Sequence, residues 1–86
     1  MPKISFFYGI AIYMYFNDHF PPHFHAIYGE FSAKIGIKDF ALIDGYLPPK
    51  ALSLVVEWAS LYKTDLEENW DRMIKKQPFV SINPLV

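Results

Sequence analysis

Phe31-Ser32-Ala33-Lys34-Ile35-Gly36-Ile37 alternates apolar residues with polar or small ones along its whole length. Period-two alternation belongs to a strand with one buried and one solvated face. Phe31, Ala33, Ile35 and Ile37 are therefore expected inside, and Ser32, Lys34 and Gly36 outside. Gly29 turns the chain just before this strand, and His23 to Tyr28 reads as the preceding extended piece. On the other side, Lys38-Asp39 suits a hairpin turn into Phe40 to Ile43. Further upstream, Ile4 to Tyr8 and Ile10 to Phe16 are aromatic and β-branched, with Gly9 between them, which favours two more strands. Asn17-Asp18 and Pro21-Pro22 mark a loop between the second strand and the third.

The C-terminal half changes period. Pro48 and Pro49 suit a helix start, since proline is tolerated in the first turn. Leu52, Val55, Val56, Ala59 and Tyr62 then recur at helical spacing, and Leu54, Trp58 and Leu61 widen the apolar face. Thr64 to Glu67 reads T-x-x-E, the capping-box pattern, and predicts the start of a second helix. Leu66, Trp70 and Met73 share one side of it. Asp65, Glu67 and Glu68 near its start and Lys75 and Lys76 at its end agree with the helix dipole. Gln77-Pro78 stops it. Strands followed by helices predict an α+β fold, a small antiparallel sheet of N-terminal strands packed against two C-terminal helices.

The 86 residues make a single domain, 1–86, with a small core. Apolar residues form 52% of the chain and aromatics 19%, enough to build that core from few side chains and to leave apolar surface for a partner. The net charge of −1 supplies no basic footprint for stable nucleic-acid binding, although a transient RNA contact needs only a few local cations. Cysteine is absent, which excludes disulfides and thiolate metal sites and fits a reducing cytoplasm. Lys3 followed by the apolar run Ile4 to Phe16 superficially imitates a secretory signal. The run is rich in Tyr and Phe, has no small-residue cleavage site, and is too short to span a bilayer as a helix. It reads as buried strand in a cytoplasmic protein with no membrane partner.

The chemistry-bearing residues gather in Asp18-His19-Phe20-Pro21-Pro22-His23-Phe24-His25, with Glu30 shortly after. On a strand, His23 and His25 point to one face and Phe24 to the other. Phe24 can then anchor the strand while the two imidazoles stand together. The prolines restrict φ and stiffen the loop that carries Asp18 and His19. Three readings follow. Neutral imidazoles with a carboxylate such as Glu30 can hold a metal. Paired histidines can act as base and acid near neutral pH, with Glu30 or Asp18 as orienter and Tyr15, Tyr28 and Lys34 as donors. Or the histidines merely satisfy loop carbonyls. Three imidazoles in this order form no specific motif, so the residues alone leave all three readings open. Among the remaining polar residues, Glu57 is expected to be solvated and Asn69 to be an exposed contact, while Trp58 and Trp70 are expected in the core.

Phe7-Tyr8-Gly9-Ile10, Met14-Tyr15-Phe16-x-Asp18-His19-x-Pro21-Pro22-His23-Phe24-His25 and Tyr28-Gly29-Glu30 together resemble the bacterial family called domain of unknown function 4160. Leu47-Pro48, Glu57-Trp58-Ala59 and Asn69-Trp70 extend the resemblance over nearly the whole chain. It departs at Tyr13, where the family pattern has Arg. Such genes commonly stand beside a second small family of unknown function, numbered 2442. The resemblance therefore implies the toxin-like half of a toxin–antitoxin module, bound by a small antitoxin-like protein encoded nearby. The expectation carried forward is a metal-independent, cofactor-free attack on RNA by His23 and His25, assisted by Asp18 and Glu30, with His19 as a further candidate. A non-enzymatic protein-interaction module and a small His/Glu metal-binding protein are the alternatives.

Overall fold

The computed structural model describes residues 2–86. Five strands come first: β1 (Lys3–Phe7), β2 (Ile10–Tyr13), β3 (His23–Tyr28), β4 (Phe31–Gly36) and β5 (Leu42–Gly45). Two helices follow, α1 (Pro49–Leu61) and α2 (Lys63–Ile74). The strands pair antiparallel in sequence order, β1-β2-β3-β4-β5. The predicted α+β architecture is the observed one. The apolar run from Ile4 onward is a hairpin of β1 and β2, and among the described residues no helix is long and apolar enough to cross a membrane.

Two tight turns set the register. Tyr8 and Gly9 both have positive φ, as a type I′ hairpin turn requires, and they bring Phe7 opposite Ile10. Gly29, also at positive φ, opens the two-residue turn Gly29-Glu30 and brings Tyr28 opposite Phe31. At the far side of the sheet, Gly45, again at positive φ, is irreplaceable for a second reason as well. A Cβ there would collide with the Ser32 carbonyl oxygen of β4. Four strands differ from the sequence expectation: β1 is shifted by one residue, β4 is one shorter, and the larger differences are in β2 and the last strand, which also runs on to Gly45. β2 ends at Tyr13 rather than Phe16, because the chain leaves the sheet to enter the Asn17–Pro22 loop. The last strand begins at Leu42 rather than Phe40, since Phe40 takes positive φ in the preceding turn.

The core lies between the sheet and α1. Ile10, Ile12, Phe24, Ala26, Ala33 and Ile35 are buried from the strands, and Ala51, Val55, Trp58 and Ala59 from the helix. Trp58 is the keystone, with the Phe7 and Phe24 rings 5.3 and 5.7 Å from it. Pro49 opens α1, as its fixed φ favours. A single residue, Tyr62, separates α1 from α2. Its N–H closes the last turn of α1 on the Trp58 carbonyl, and its own carbonyl accepts the Leu66 N–H. This junction displaces the expected capping box. Helical structure resumes at Lys63, Thr64 lies inside the first turn, and no side chain caps α2.

The residues after α2 form an extended strap held by two core side chains. The Trp58 indole N–H donates to the Asn83 carbonyl at 2.8 Å, and the Ile82 N–H donates to the Ile4 carbonyl of β1. Asn69, expected on the surface, is fully buried. Its Nδ2 donates to the Val80 carbonyl, and its Oδ1 accepts from the Val80 N–H and from Arg72. A primary amide is the side chain that can pair both polar groups of one peptide residue, which explains why a polar residue sits there.

Asn69→Ala leaves the Val80 N–H and carbonyl unpaired and is expected to cost about 1–3 kcal/mol in urea unfolding. Thr64→Ala, which a capping box would make costly, is expected to change stability by less than about 0.5 kcal/mol.

Candidate functional site

β3 carries the site because its two faces have different duties. Phe24 and Ala26 are buried in the core. His23 and His25 project from the opposite face, with ring centroids 5.1 Å apart. His25 is half-buried, between Tyr13 of β2 and Lys34 of β4 in the cross-strand row. Tyr15 sets its ring edge-on to His25 at 4.6 Å, and Tyr13 stacks on Tyr15 at 6.1 Å. His25, Ser32, Lys34 and Asp44 also line a shallow depression on this face.

His23 is in a different situation from His25. It stands at the end of β3, beneath the Asn17–Pro22 loop and against Trp70 of α2, whose ring lies 5.4 Å away. Only 2% of its surface is exposed. The loop is tied down by the Pro22 carbonyl, which accepts the Ile37 N–H at 3.0 Å, and by Phe20, whose ring packs edge-on to Trp70. The His23 Nδ1–H donates to the Pro21 carbonyl at 2.7 Å. A carbonyl only accepts, so this bond places a proton on Nδ1 and orients the ring with Nε2 toward Asp18.

Asp18 completes the group. Its Oδ2 lies 3.1 Å from His25 Nε2, within a hydrogen bond, and 3.2 Å from His23 Nε2. The three ligand-type atoms all lie within 4.8 Å of one another. Burial lowers the proton affinity of His25, and the neighbouring His23 and Lys34 act in the same direction. Asp18 opposes them without reversing the result. Burial, together with Tyr13 and Asp18, raises the Tyr15 phenol above its usual range, so it remains a protonated donor.

The structure thus brings together three of the five expected residues, Asp18, His23 and His25. Glu30 is exposed in the β3–β4 turn, at the opposite end of the strand from His23. About 10 Å of strand separates His25 from Tyr28 before that turn begins, too far for Glu30 to orient either imidazole. His19 is exposed on the loop and makes no hydrogen bond or ion pair with the group. Of the expected auxiliary donors, Tyr15 and Lys34 flank His25, whereas Tyr28 is at the turn end of the strand. Trp70, read only as core, proves to be the wall that buries His23. The loop's fold decides that contact, and no local spacing announces it.

Residues 9–71 match the family model described as Domain of unknown function (DUF4160). No curated protein and no solved structure gives a significant match.

Removing the two imidazoles is expected to have unequal effects on stability. His23→Ala opens a space beside Trp70 and leaves the Pro21 carbonyl unpaired, for a cost of about 2–3 kcal/mol. His25→Ala, on the open face, is expected to cost less than about 1 kcal/mol. Urea unfolding of the two variants measures the difference.

Proposed function

On the footing that this chain belongs to the DUF4160 family, we propose that it is the toxin-like effector of a two-protein module and cleaves RNA phosphodiesters at the Asp18–His23–His25 centre. The observation that carries the reading is the convergence of a carboxylate and two imidazoles on one point of an open sheet face. Such a group can activate a water or hydroxyl for attack, and Lys34, directly across the ladder from His25, supplies a cation for the phosphate. Tyr13 and Tyr15 form an aromatic surface on the same side, of the kind on which single-stranded bases stack.

The division of labour differs from a base-and-acid pair. Two histidines that share proton transfer must both reach the reacting atoms, and His23 is buried. His25 is the member that meets substrate, and His23 acts with it as part of one unit. The antitoxin-like partner has a separate surface available. β5 is an outer strand whose four residues are all exposed, and Leu42, Ile43 and Tyr46 offer it apolar area. Outer strands of this kind accept an added strand from a partner.

Expression of the chain alone is expected to arrest growth, and co-expression with its neighbouring gene to restore it. His25→Ala and Asp18→Ala are expected to abolish the arrest at equal protein level, while Glu30→Gln and His19→Ala retain it. Equal growth with and without wild-type chain counts against an effector. Arrest that survives His25→Ala removes the centre from the activity and favours a non-enzymatic interaction module.

A further inference from the structure

The contact between His23 and Asp18 is chemically incomplete. The His23 Nδ1 proton is committed to the Pro21 carbonyl. In a neutral ring Nε2 then carries a lone pair, and that lone pair faces a carboxylate oxygen at 3.2 Å. Two acceptors face one another, and the Nε2 side of the contact is closed to water. His23 Nε2 is buried and has no hydrogen-bond partner. The distance to Asp18 Oδ2 is short enough, but the alignment is not that of a hydrogen bond. His25 meets the same oxygen from the other side at 3.1 Å.

A shared cation removes the conflict. Ligand atoms about 2.0–2.2 Å from one metal ion stand about 2.8–3.1 Å from each other at octahedral angles and about 3.3–3.6 Å at tetrahedral ones. The two nitrogen–oxygen separations here, 3.1 and 3.2 Å, fall within the span of those two geometries. The His23 lone pair then points to the ion rather than along the nitrogen–oxygen line, which is the misalignment that His23 shows; His25 gives up its hydrogen bond to Asp18, its ring proton moving to Nδ1 so that Nε2 can bind the ion. The His23 Nδ1–H bond to a backbone carbonyl is the outer-shell support that fixes a metal-bound imidazole in its tautomer and orientation.

We propose that Asp18 Oδ2, His23 Nε2 and His25 Nε2 form a binding site for one divalent transition-metal ion. Two imidazoles and one carboxylate suit zinc, iron(II) or nickel, and not the all-oxygen shells of calcium and magnesium. Three protein ligands leave further coordination positions for water or substrate, the pattern of a catalytic rather than a structural site. Those positions open toward the side of His25, because His23 is enclosed by Trp70 and the loop. The inference deepens the proposed activity by naming the cofactor of the same centre. It depends on that reading for the reaction and not for the binding.

The test uses the full chain, treated with a chelator and then dialysed. Titration with zinc, followed by calorimetry, is expected to show one saturating equivalent. Cobalt(II) in its place is expected to give visible d–d absorption that zinc abolishes. Asp18→Ala and His25→Ala, both at half-exposed positions where folding should survive, are expected to weaken zinc binding at least about 100-fold, since losing even an outer partner costs about 10–100-fold. His19→Ala and Glu30→Gln are expected to bind as wild type. Failure to saturate at micromolar zinc and cobalt, or unchanged binding in the Asp18 and His25 variants, overturns the site. Growth arrest without metal binding refutes this inference alone. Metal binding without growth arrest supports it and refutes only the effector role.

Discussion

The packing of Phe24 against Trp58 is the constraint on which both halves of the molecule depend. It fixes which face of β3 belongs to the core. Side chains alternate along a strand, so the choice for Phe24 is also the choice for His23 and His25. A one-residue slip would drive both imidazoles into the apolar layer and bring Phe24 to the open face. The Gly29-Glu30 turn excludes that slip against β4, because it holds Tyr28 opposite Phe31. Trp58 extends the same constraint to the C-terminus through its bond to the Asn83 carbonyl. One indole thereby ties sheet, helix and strap together.

The site is built where this constraint meets a second one, the closure of the Asn17–Pro22 loop. Its backbone is anchored at the Pro22 carbonyl by Ile37 and at the Pro21 carbonyl by His23. Phe20 and Trp70 press it onto α2. Asp18 is delivered by a short loop that is held at its far end, so its carboxylate needs little further ordering to meet the imidazoles. Preorganisation of this kind comes from loop and strand together, not from a polar network added afterwards.

What could be read in the sequence and what could not divide along the same line. Alternation in Phe31–Ile37 and helical spacing from Leu52 onward are local signals, and they gave the strands, the helices and their order. The shared face of His23 and His25 is also local, since a period of two suffices. Contacts across the fold are not. Glu30 is near His25 in number, but the Gly29 turn carries it to the far end of the hairpin. Asn69 reads as a surface residue on an acidic helix. Its burial is decided by Val80 in a strap that has no periodic pattern. The T-x-x-E signature failed as a cap because the chain breaks for only one residue at Tyr62, packed 6.2 Å from Trp58, and is helical again from Lys63, before the threonine is reached. In each case a tertiary contact overrode a sound local rule.

Position 13 shows how the surroundings of the centre follow from the same geometry. Tyr13 is the β2 neighbour of His25 in a row that runs Lys3, Tyr13, His25, Lys34, Asp44 across all five strands. Tyr13 stacks with Tyr15, and Tyr15 covers the edge of His25. The row is therefore aromatic on one side of His25 and cationic on the other, where Lys34 stands. Covering the ring removes water from it, and loss of water disfavours the charged form more than Asp18 favours it. A neutral imidazole is the form that offers a lone pair, whether to a proton or to a metal ion. Aromatic cover thus holds His25 toward its neutral form by desolvation, with Lys34 as the cation on its other side.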